Sequence, residues 1–349
     1  MNTVQQNTIQ HNSVQYPLRK IKVTGLDDFV LRQTPDRKGV WKDCEFVFNN
    51  PDLTECDSWF VFDPNGVATD GHAICSPDNV FYVMGEPDDI HVYYQRFIDQ
   101  FHNIVTAQKY QHKAANIIRD YWGLWFVGLE FYPGGRIVLN PSYDYDAMTI
   151  MELPKKEKLI SVITSNKTMC DGHIKRIKFV ERLKEYFGDS VDVYGRGIND
   201  FVDKADVLIP YKYHIAIENS SQDDYVTEKL LDPYLTYTYP IYYGAPNVEK
   251  YFSSDSLSVI DINRPEEAIR IIETVMQEQR FEKHLNQIKA MREKVINEYN
   301  VFNKMTSIIK SSRTVMEKRD IILMPEYSFS YKYHFNELIR KIRRRILRK

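Results

Sequence analysis

Short apolar runs separated by turn-forming residues fill the first third of the chain. Beginning near Ile21, they read KIKVTG, CEFVFNN, DSWFVFDPNG, NVFYVMGEPDD and NIVTAQ. Apolar runs of this length, bounded by Asn, Asp, Pro and Gly, are typical of strands in a sheet with connecting helices. Residues 1–18 are predicted to form a loose polar arm. Residues 121–153, rich in Trp, Tyr, Gly and Pro, are predicted to be irregular.

The second half of the chain alternates more regularly between strand and helix patterns. The predicted strands are 158–166, 191–197, 213–219 and 239–245, and the predicted helices are 174–188, 227–236 and 265–279. Such alternation favours βαβ units and a parallel sheet. A last helical stretch, about 281–318, is long enough to pack across both halves. Ligands of open parallel sheets bind beyond the carboxyl ends of the strands.

The helix predicted over 174–188 has an apolar stripe at helical spacing. The stripe consists of Ile174, Ile177, Val180, Leu183 and Phe187, and Gly188 closes the helix. This pattern predicts that these five side chains face the core.

A very polar turn separates an apolar strand from the next helix. The strand ends at Glu218-Asn219, and the helix is predicted to begin near Val226. A helix N-terminus presents unpaired N–H groups and the positive end of the helix dipole, so it binds phosphate readily. Lys229 adds a cation suited to a diphosphate. The alternative is a capped helix without a ligand, with Thr227 or Asp224 as the N-cap.

Residues 211–252 resemble the donor-binding signature of glycosyltransferase family 10, the α-1,3/4-fucosyltransferases, in their bacterial type. The shared pattern is a strand ending in Ile-Glu-Asn, a polar loop, Tyr-Val-Thr-Glu-Lys, a helix, and Pro-Ile followed by Gly-Ala. The resemblance covers about 158–260, and in the first half it rests mainly on FYVMGEP at 81–87.

The resemblance implies an α/β protein of GT-B architecture, in which two Rossmann-like domains face a cleft. The expected domains are an acceptor-side domain over 19–153 and a GDP-sugar-binding domain over 154–318, whose last helices can cross back. The expected donor contacts are Arg176, Asn219, Tyr225, Glu228 and Lys229. Arg176 and Lys229 would bind the diphosphate and stabilise the departing GDP. Pro233 departs from the family pattern, which usually has a helix former there, and is expected to kink the helix or shift its start.

The catalytic base is expected on a loop after a strand of the first domain. An inverting transfer needs a group that takes the proton of the acceptor hydroxyl. The family uses a glutamate directly after a strand, and Glu86 in VMGEPDD resembles it. Asp88, Asp89 and His91 are alternatives on the same loop, and an ordinary solvated turn is another interpretation.

The charge distribution and a possible metal motif reduce the number of candidate functions. Seven cations within 340–349 leave a charge of −9 on residues 1–339, which argues against nucleic acid as a partner. Asp144-Tyr-Asp146 matches a DxD metal motif, but no strong strand leads into it, so a solvated loop is favoured. Because cations and a helix terminus can hold the diphosphate, no metal or other cofactor is required, and a divalent metal would at most stimulate.

The four cysteines, Cys44, Cys56, Cys75 and Cys170, are widely spaced, as expected for reduced cytosolic thiols. Cys170 and His173 have the spacing of one ligand pair of a zinc site, but the sequence offers no second pair. A structural loop is therefore the favoured interpretation. No GxGxxG occurs, which argues against a dehydrogenase.

The end of the chain, residues 319–349, is predicted to be a basic amphipathic tail. Over 335–349 the pattern suits an anionic membrane surface, whereas a helix packed on the body or a disordered end are alternatives. With no apolar leader and no span of about 18 apolar residues, the expected location is cytoplasmic, at the inner face of the membrane.

The resulting hypothesis is an inverting transferase of L-fucose from GDP-fucose to an oligosaccharide or lipid-linked glycan, such as a lipopolysaccharide or a protein glycan. The alternatives are a family relative that uses another GDP-sugar, and a non-catalytic glycan- or nucleotide-binding module.

Overall fold

Two parallel sheets, one from each half of the chain, form the framework of the protein. The computed structural model describes residues 17–63, 71–109, 116–164, 171–311 and 316–331. Most of the arm (1–16), Cys170, and the basic tail segment 335–349 lie outside the described residues.

The strands of the first half are β1 (Arg19–Thr24), β2 (Val40–Trp41), β3 (Cys44–Phe48), β4 (Ser58–Phe62), β5 (Gly71–Cys75), β6 (Val80–Val83), β7 (Asn103–Val105), β8 (Asn116–Ile118), β9 (Leu129–Phe131) and β10 (Ile137–Leu139). Those of the second half are β11 (Lys158–Ile163), β12 (Val191–Tyr194), β13 (Tyr211–Ile217), β14 (Tyr239–Tyr243), β15 (Ser258–Val259) and β16 (Arg319–Leu323). The α-helices are α1 (Gln95–Ile98), α2 (Tyr145–Ile150), α3 (Asp171–Phe187), α4 (Glu228–Leu235), α5 (Pro265–Gln277), α6 (Arg280–Lys283), α7 (Leu285–Asn297) and α8 (Val301–Ser311).

The first sheet has the order β2-β3-β1-β4-β6-β7-β8. All neighbouring pairs are parallel except β2 with β3. β4 and β6 are buried at every residue, as expected for strands covered on both faces. The chain places β3 on one side of β1 and β4 on the other, so the strand order reverses between β1 and β4.

The second sheet has the order β12-β11-β13-β14-β15, with every pair parallel. α3 connects β11 to β12, and α4 connects β13 to β14. Here the order reverses between β11 and β13. Ligands of open α/β sheets bind at such switch points. Two α/β domains with a cleft between them form the GT-B architecture that the resemblance implied.

The last described segments return to the first domain. Val301, Phe302 and Met305 of α8 pack in one core with Ile21 and Phe46. β16 pairs antiparallel with β5, and Leu323 is buried in the first domain. Residues 319–331, assigned to the tail from sequence, are therefore a strand and a short 3-10 helix (Glu326–Phe329) packed on the first domain. The apolar strand at 319–323 was assigned to the tail because the residues that follow it are strongly basic.

Residues 121–153 are more regular than expected. β9 and β10 form an antiparallel hairpin, with Gly134 and Gly135 at φ of 85° and 83° in its turn. Asp144 caps α2 by accepting a hydrogen bond from the Ala147 N–H at 3.0 Å. The turn-forming residues that suggested an irregular segment form the turn of this hairpin and the cap of α2.

No α-helix among the described residues is long and apolar enough to cross a bilayer.

Candidate active site between the two domains

A cavity of about 160 Å³ lies at the switch point of the second sheet. We call it the basic cavity. Its cations are Arg176 of α3, Lys204, and Lys229 of α4, and Glu228 and Asp232 also line it. Thr164, directly after β11, contributes a buried hydroxyl that has no hydrogen-bond partner among the described residues. Arg176 and Lys229, predicted to act together, therefore line one cavity.

Glu218 and Thr227 close the polar turn between β13 and α4. The fully buried Glu218 carboxylate accepts hydrogen bonds from the Thr227 N–H at 2.8 Å and from the Thr227 hydroxyl at 2.8 Å. The Thr227 hydroxyl oxygen accepts in turn from the Lys229 N–H at 3.3 Å. Thr227 is thus the N-cap of α4, which begins at Glu228, two residues after the predicted start at Val226.

Asp224, the other N-cap candidate, anchors the middle of the turn. Its backbone has a φ of 61°, and its N–H donates to Asn247 Oδ1 at 2.8 Å. Its carboxylate accepts from Lys250 Nζ at 2.9 Å and from Asn247 Nδ2 at 3.0 Å. The turn is therefore fixed to the segment after β14 as well as to its own helix.

Lys229 and Lys204 hold Glu228 between them. Lys229 Nζ lies 3.3 Å from Glu228 Oε1 and 3.5 Å from Glu218 Oε2, and Lys204 Nζ lies 3.3 Å from Glu228 Oε1. Burial by itself raises the pKa of Glu228, but the two ammonium groups outweigh it and bring this pKa well below its usual range. Burial lowers the pKa of Lys229, but Glu228 and Glu218 outweigh it and raise this pKa. Both groups are therefore charged at neutral pH.

Pro233 lies inside α4 and lines the basic cavity. It cannot donate a hydrogen bond to the Lys229 carbonyl, yet the helix continues to Leu235.

The apolar stripe of α3 packs in the core at Val180, Leu183 and Phe187, as predicted, but its first residue does not. Ile174 is 41 % exposed, whereas His173 and Arg176 are each only 5 % exposed. The Arg176 guanidinium donates to Asn219 Oδ1 at 2.7 Å, so two of the predicted donor contacts touch each other. Gly172 makes this approach possible, because a Cβ there would lie 1.9 Å from the Asn219 carbonyl oxygen.

A second cavity, of about 290 Å³, lies between the two domains. We call it the interdomain cavity. The first domain contributes Asp63 after β4, Glu86 after β6 and the aromatic segment 120–126, and the second contributes 224–228. Glu228 lines both cavities, so the two adjoin at the start of α4. Tyr225 is buried and faces the interdomain cavity.

Glu86 reaches this cavity from a loop that Gln108 holds in place. Gln108 Nε2 donates to the carbonyl oxygens of Glu86 and His91, both at 2.9 Å. Burial and then the Asp63 carboxylate raise the pKa of Glu86, and the Lys229 ammonium partly opposes them. A carboxylate with a raised pKa is a stronger proton acceptor.

The three alternatives to Glu86 are engaged elsewhere. Asp88 accepts from the Lys109 N–H at 3.0 Å, Asp89 from the Ser220 hydroxyl at 2.9 Å, and His91 contacts Glu326 at 3.0 Å. Of the four loop residues, only Glu86 lines the interdomain cavity.

The DxD aspartates lie outside both cavities. Asp144 pairs with Arg37 at 3.3 Å besides capping α2, and Asp146 accepts from the Asp36 N–H at 2.7 Å. Over the described part of the chain, no group of three or more His, Cys, Asp or Glu residues has a metal-binding arrangement. Cys44, Cys56 and Cys75 are buried free thiols.

Sequence patterns missed four residues of the site: Asp63, Thr164, Lys204 and Glu218. Asp63 carried the same signal as Glu86, an acid directly after an apolar strand, and that signal could have revealed it. Lys204, whose Nζ lies 2.8 Å from Asp232 Oδ2 and 3.3 Å from Glu228 Oε1, left no local signal.

Comparison with known proteins places the second domain in a family. Residues 153–318 match the model of glycosyltransferase family 10 (fucosyltransferase), C-terminal domain. The human 4-galactosyl-N-acetylglucosaminide 3-alpha-L-fucosyltransferase 9 is 31 % identical over 133 residues, which is 36 % of this chain and 35 % of that protein. GDP-fucose protein O-fucosyltransferase 3 of Xenopus laevis is 32 % identical over 117 residues, which is 30 % of this chain and 24 % of that protein. The chain thus spans about a third or less of the length of these curated relatives.

Solved structures show a more distant likeness over most of the chain. An alpha1,3-fucosyltransferase with GDP matches with a TM-score of 0.46 and 16 % identity, covering 86 % of this chain and 95 % of the other. A glycosyltransferase from Rickettsia africae matches with a TM-score of 0.49 and 10 % identity, covering 84 % and 98 %. The likeness to a family rests instead on the second domain: residues 153–318 match glycosyltransferase family 10, the fucosyltransferase family.

Proposed function

We propose that this protein transfers L-fucose from GDP-fucose to a hydroxyl group of a glycan, with inversion and with α-1,3/4 linkage. One observation carries the proposal. Glu86 and Glu228 line the same interdomain cavity, and Glu228 also lines the basic cavity together with Arg176 and Lys229. A carboxylate base and a diphosphate site thus adjoin across the cleft.

The basic cavity is suited to the diphosphate of the donor. Arg176 and Lys229 supply charge-assisted hydrogen bonds, and the N-terminus of α4 adds the positive end of its dipole. The buried hydroxyl of Thr164 is placed to donate to a phosphate oxygen. Asn219 and Glu228 would bind hydroxyl groups of the donor, and the Tyr225 ring would pack against it.

The reaction then needs no metal ion. As the bond between the sugar and the phosphate breaks, negative charge grows on the departing GDP, and the nearby cations stabilise it. Glu86 takes the proton of the acceptor hydroxyl as that oxygen attacks the sugar from the opposite side. The raised pKa of Glu86 suits it to this role.

Thermal-shift measurements with GDP, UDP and CMP test the donor assignment. A ligand that binds only the native state raises the unfolding temperature. We expect GDP to give the largest increase of the three. A larger increase with UDP would contradict a GDP-sugar donor.

A further inference from the structure

All charged side chains in the described lining of the interdomain cavity are acidic. Its described lining contains no Lys, Arg or His, and it contains five acidic side chains, Asp63, Glu86, Asp120, Asp224 and Glu228. The cations of the site line the basic cavity on the other side of the α4 N-terminus. The two cavities therefore separate the charges, with cations where the diphosphate would bind and carboxylates where the acceptor would bind.

Three of the five carboxylates have cationic partners that do not line the cavity. The pairs are Asp120 with Lys304 at 2.6 Å, Asp224 with Lys250 at 2.9 Å, and Glu228 with Lys204 at 3.3 Å. Asp63 and Glu86 form no ion pair among the described residues. Asp63 accepts a hydrogen bond from the neutral Tyr82 hydroxyl at 3.0 Å. No ion pair therefore neutralises the negative charge at this end of the cavity, although the Lys229 ammonium acts on Glu86 from the basic cavity.

Aromatic rings supply much of the remaining surface. Phe62, Tyr121, Trp122 and Phe126 line the cavity from the first domain, and the Phe62 and Trp122 rings meet edge to face at 5.0 Å. Rings of this kind offer apolar area to the C–H faces of a sugar. The Trp122 indole N–H is buried and has no hydrogen-bond partner among the described residues.

We infer that the sugar bound in the interdomain cavity carries no negative charge, so that the protein accepts neutral or amine-bearing acceptor sugars and rejects sulfated, phosphorylated or uronic acid sugars at that position. An anionic substituent would lose its hydration and gain no cation there, and it would be repelled by Asp63 and Glu86. Specificity of this kind arises from repulsion of the wrong substrate as much as from attraction of the right one. The inference rests on the proposed transferase function and adds the class of acceptor.

A glycan array with matched pairs tests the inference. Each core glycan is printed as its neutral form and as its sulfate ester or uronic acid counterpart, for example 4-galactosyl-N-acetylglucosaminide and its 6-sulfate. Tagged GDP-fucose reports transfer. The comparison is made on whichever cores are labelled, so it does not depend on knowing the natural acceptor. We expect at least tenfold more label on the neutral member, and equal or greater label on the anionic member would overturn the inference.

The variant Asp63→Asn connects the selectivity to the cavity. It removes one of the two unneutralised charges at nearly constant volume, so the ratio of neutral to anionic label should fall at least threefold. The ratio is compared, because any effect on Glu86 acts on both acceptors alike. Asp99→Asn is the control, since Asp99 is an exposed acid directly after α1 and does not line the cavity. An unchanged ratio in Asp63→Asn would overturn the assignment of the selectivity to this cavity.

Failure of the proposed function gives a different result. If no glycan on the array were labelled, the transferase function would be contradicted, and the inference that rests on it would fall with it. Label on the anionic members equal to or greater than that on their neutral counterparts would contradict the inference alone.

Discussion

Glu86 combines partial burial with a neighbouring carboxylate, and both raise its pKa. Since a base must be ionised to accept a proton, transfer should decline on the acid side at a higher pH than for an ordinary carboxylate. Asp63 contributes to this rise, so Asp63→Asn should move the acid limb of the pH–rate profile to lower pH. The family resemblance singled out Glu86 as the candidate base, but its pKa depends on Asp63, which follows another strand.

The first prediction concerns Glu86→Gln, which keeps the shape of the side chain and removes its basicity. We expect the turnover number to fall about 100-fold or more, which is typical for loss of a general base. The dissociation constant of GDP, measured by calorimetry, should not change, because Glu86 does not line the basic cavity. Near-normal turnover would remove Glu86 from this role.

The second prediction concerns Thr164→Val, which removes a buried hydroxyl without a partner among the described residues. Such a hydroxyl costs about 1–3 kcal/mol in the free protein, so the unliganded variant should unfold at a higher temperature. The same change should weaken GDP binding about tenfold, through the loss of a hydrogen bond to a charged group.

The matched control for Thr164→Val is Thr238→Val. The buried Thr238 hydroxyl donates to the Leu208 carbonyl at 2.9 Å and accepts from Lys156 Nζ at 3.0 Å. Its loss should lower the unfolding temperature and leave GDP binding intact. If Thr164→Val behaved in the same way, the Thr164 hydroxyl would have only a structural role.

At the scale of elements, the site depends on α3 and α4 meeting at the polar turn. The 3.6-residue pattern predicted α3 correctly as a helix but assigned Ile174 to its buried face. At this end of the helix the buried side chain is Arg176, which contacts Asn219 where Gly172 lets α3 approach the turn closely. A pattern that counts only apolar residues cannot detect a buried guanidinium.

The third prediction therefore concerns Gly172→Ala. Its Cβ would lie 1.9 Å from the Asn219 carbonyl oxygen, so α3 must move away from the turn. Such overpacking costs about 1–3 kcal/mol, and it should also weaken GDP binding, since Arg176 moves with the helix. Lys175→Ala, at an exposed position of the same helix, is the control. GDP binding as tight as that of the wild type would show that α3 can shift without disturbing the site.

In α4, tertiary contacts outweigh the tendency of a proline to end a helix. Pro233 was expected to kink the helix or shift its start, and α4 does begin at Glu228 instead of near Val226. That start is set by the Thr227 cap and its hydrogen bonds to Glu218, whereas the helix continues past the proline. The buried Glu218 carboxylate lies nine positions before Thr227, at the end of a strand, and the sequence showed it only as part of the family motif.

At the scale of the whole molecule, the chain crosses twice between its domains. Family resemblance predicted the two-domain architecture, and α8 and β16 return to the first domain to complete its core. Contacts across the cleft join the loop that carries Glu86 to the polar turn at 218–229, as between Asp89 and Ser220 at 2.9 Å. The relative position of the two cavities is therefore a property of the whole chain.

The last prediction concerns the basic tail, whose residues 335–349 lie outside the described part of the chain. Deleting them removes seven cations, so binding to vesicles that contain anionic lipid should be lost. Transfer to a soluble acceptor should persist, because none of the described site residues belongs to the tail. Vesicle sedimentation measures the first effect and a transfer assay the second. Unchanged sedimentation would rule out the tail as the membrane anchor.

Local sequence determined most strands of the two large sheets, the longer helices and the polar turn at 218–229, because apolar periodicity, capping residues and turn residues act between near neighbours in the chain. Only the tertiary structure decided which side chains share a cavity. Asp63 and Glu86 line the same cavity, and Lys204 pairs with Glu228, although each pair is more than 20 positions apart in the chain. Burial and charge at such contacts set the pKa values of the site, and they place carboxylates on one side of α4 and cations on the other.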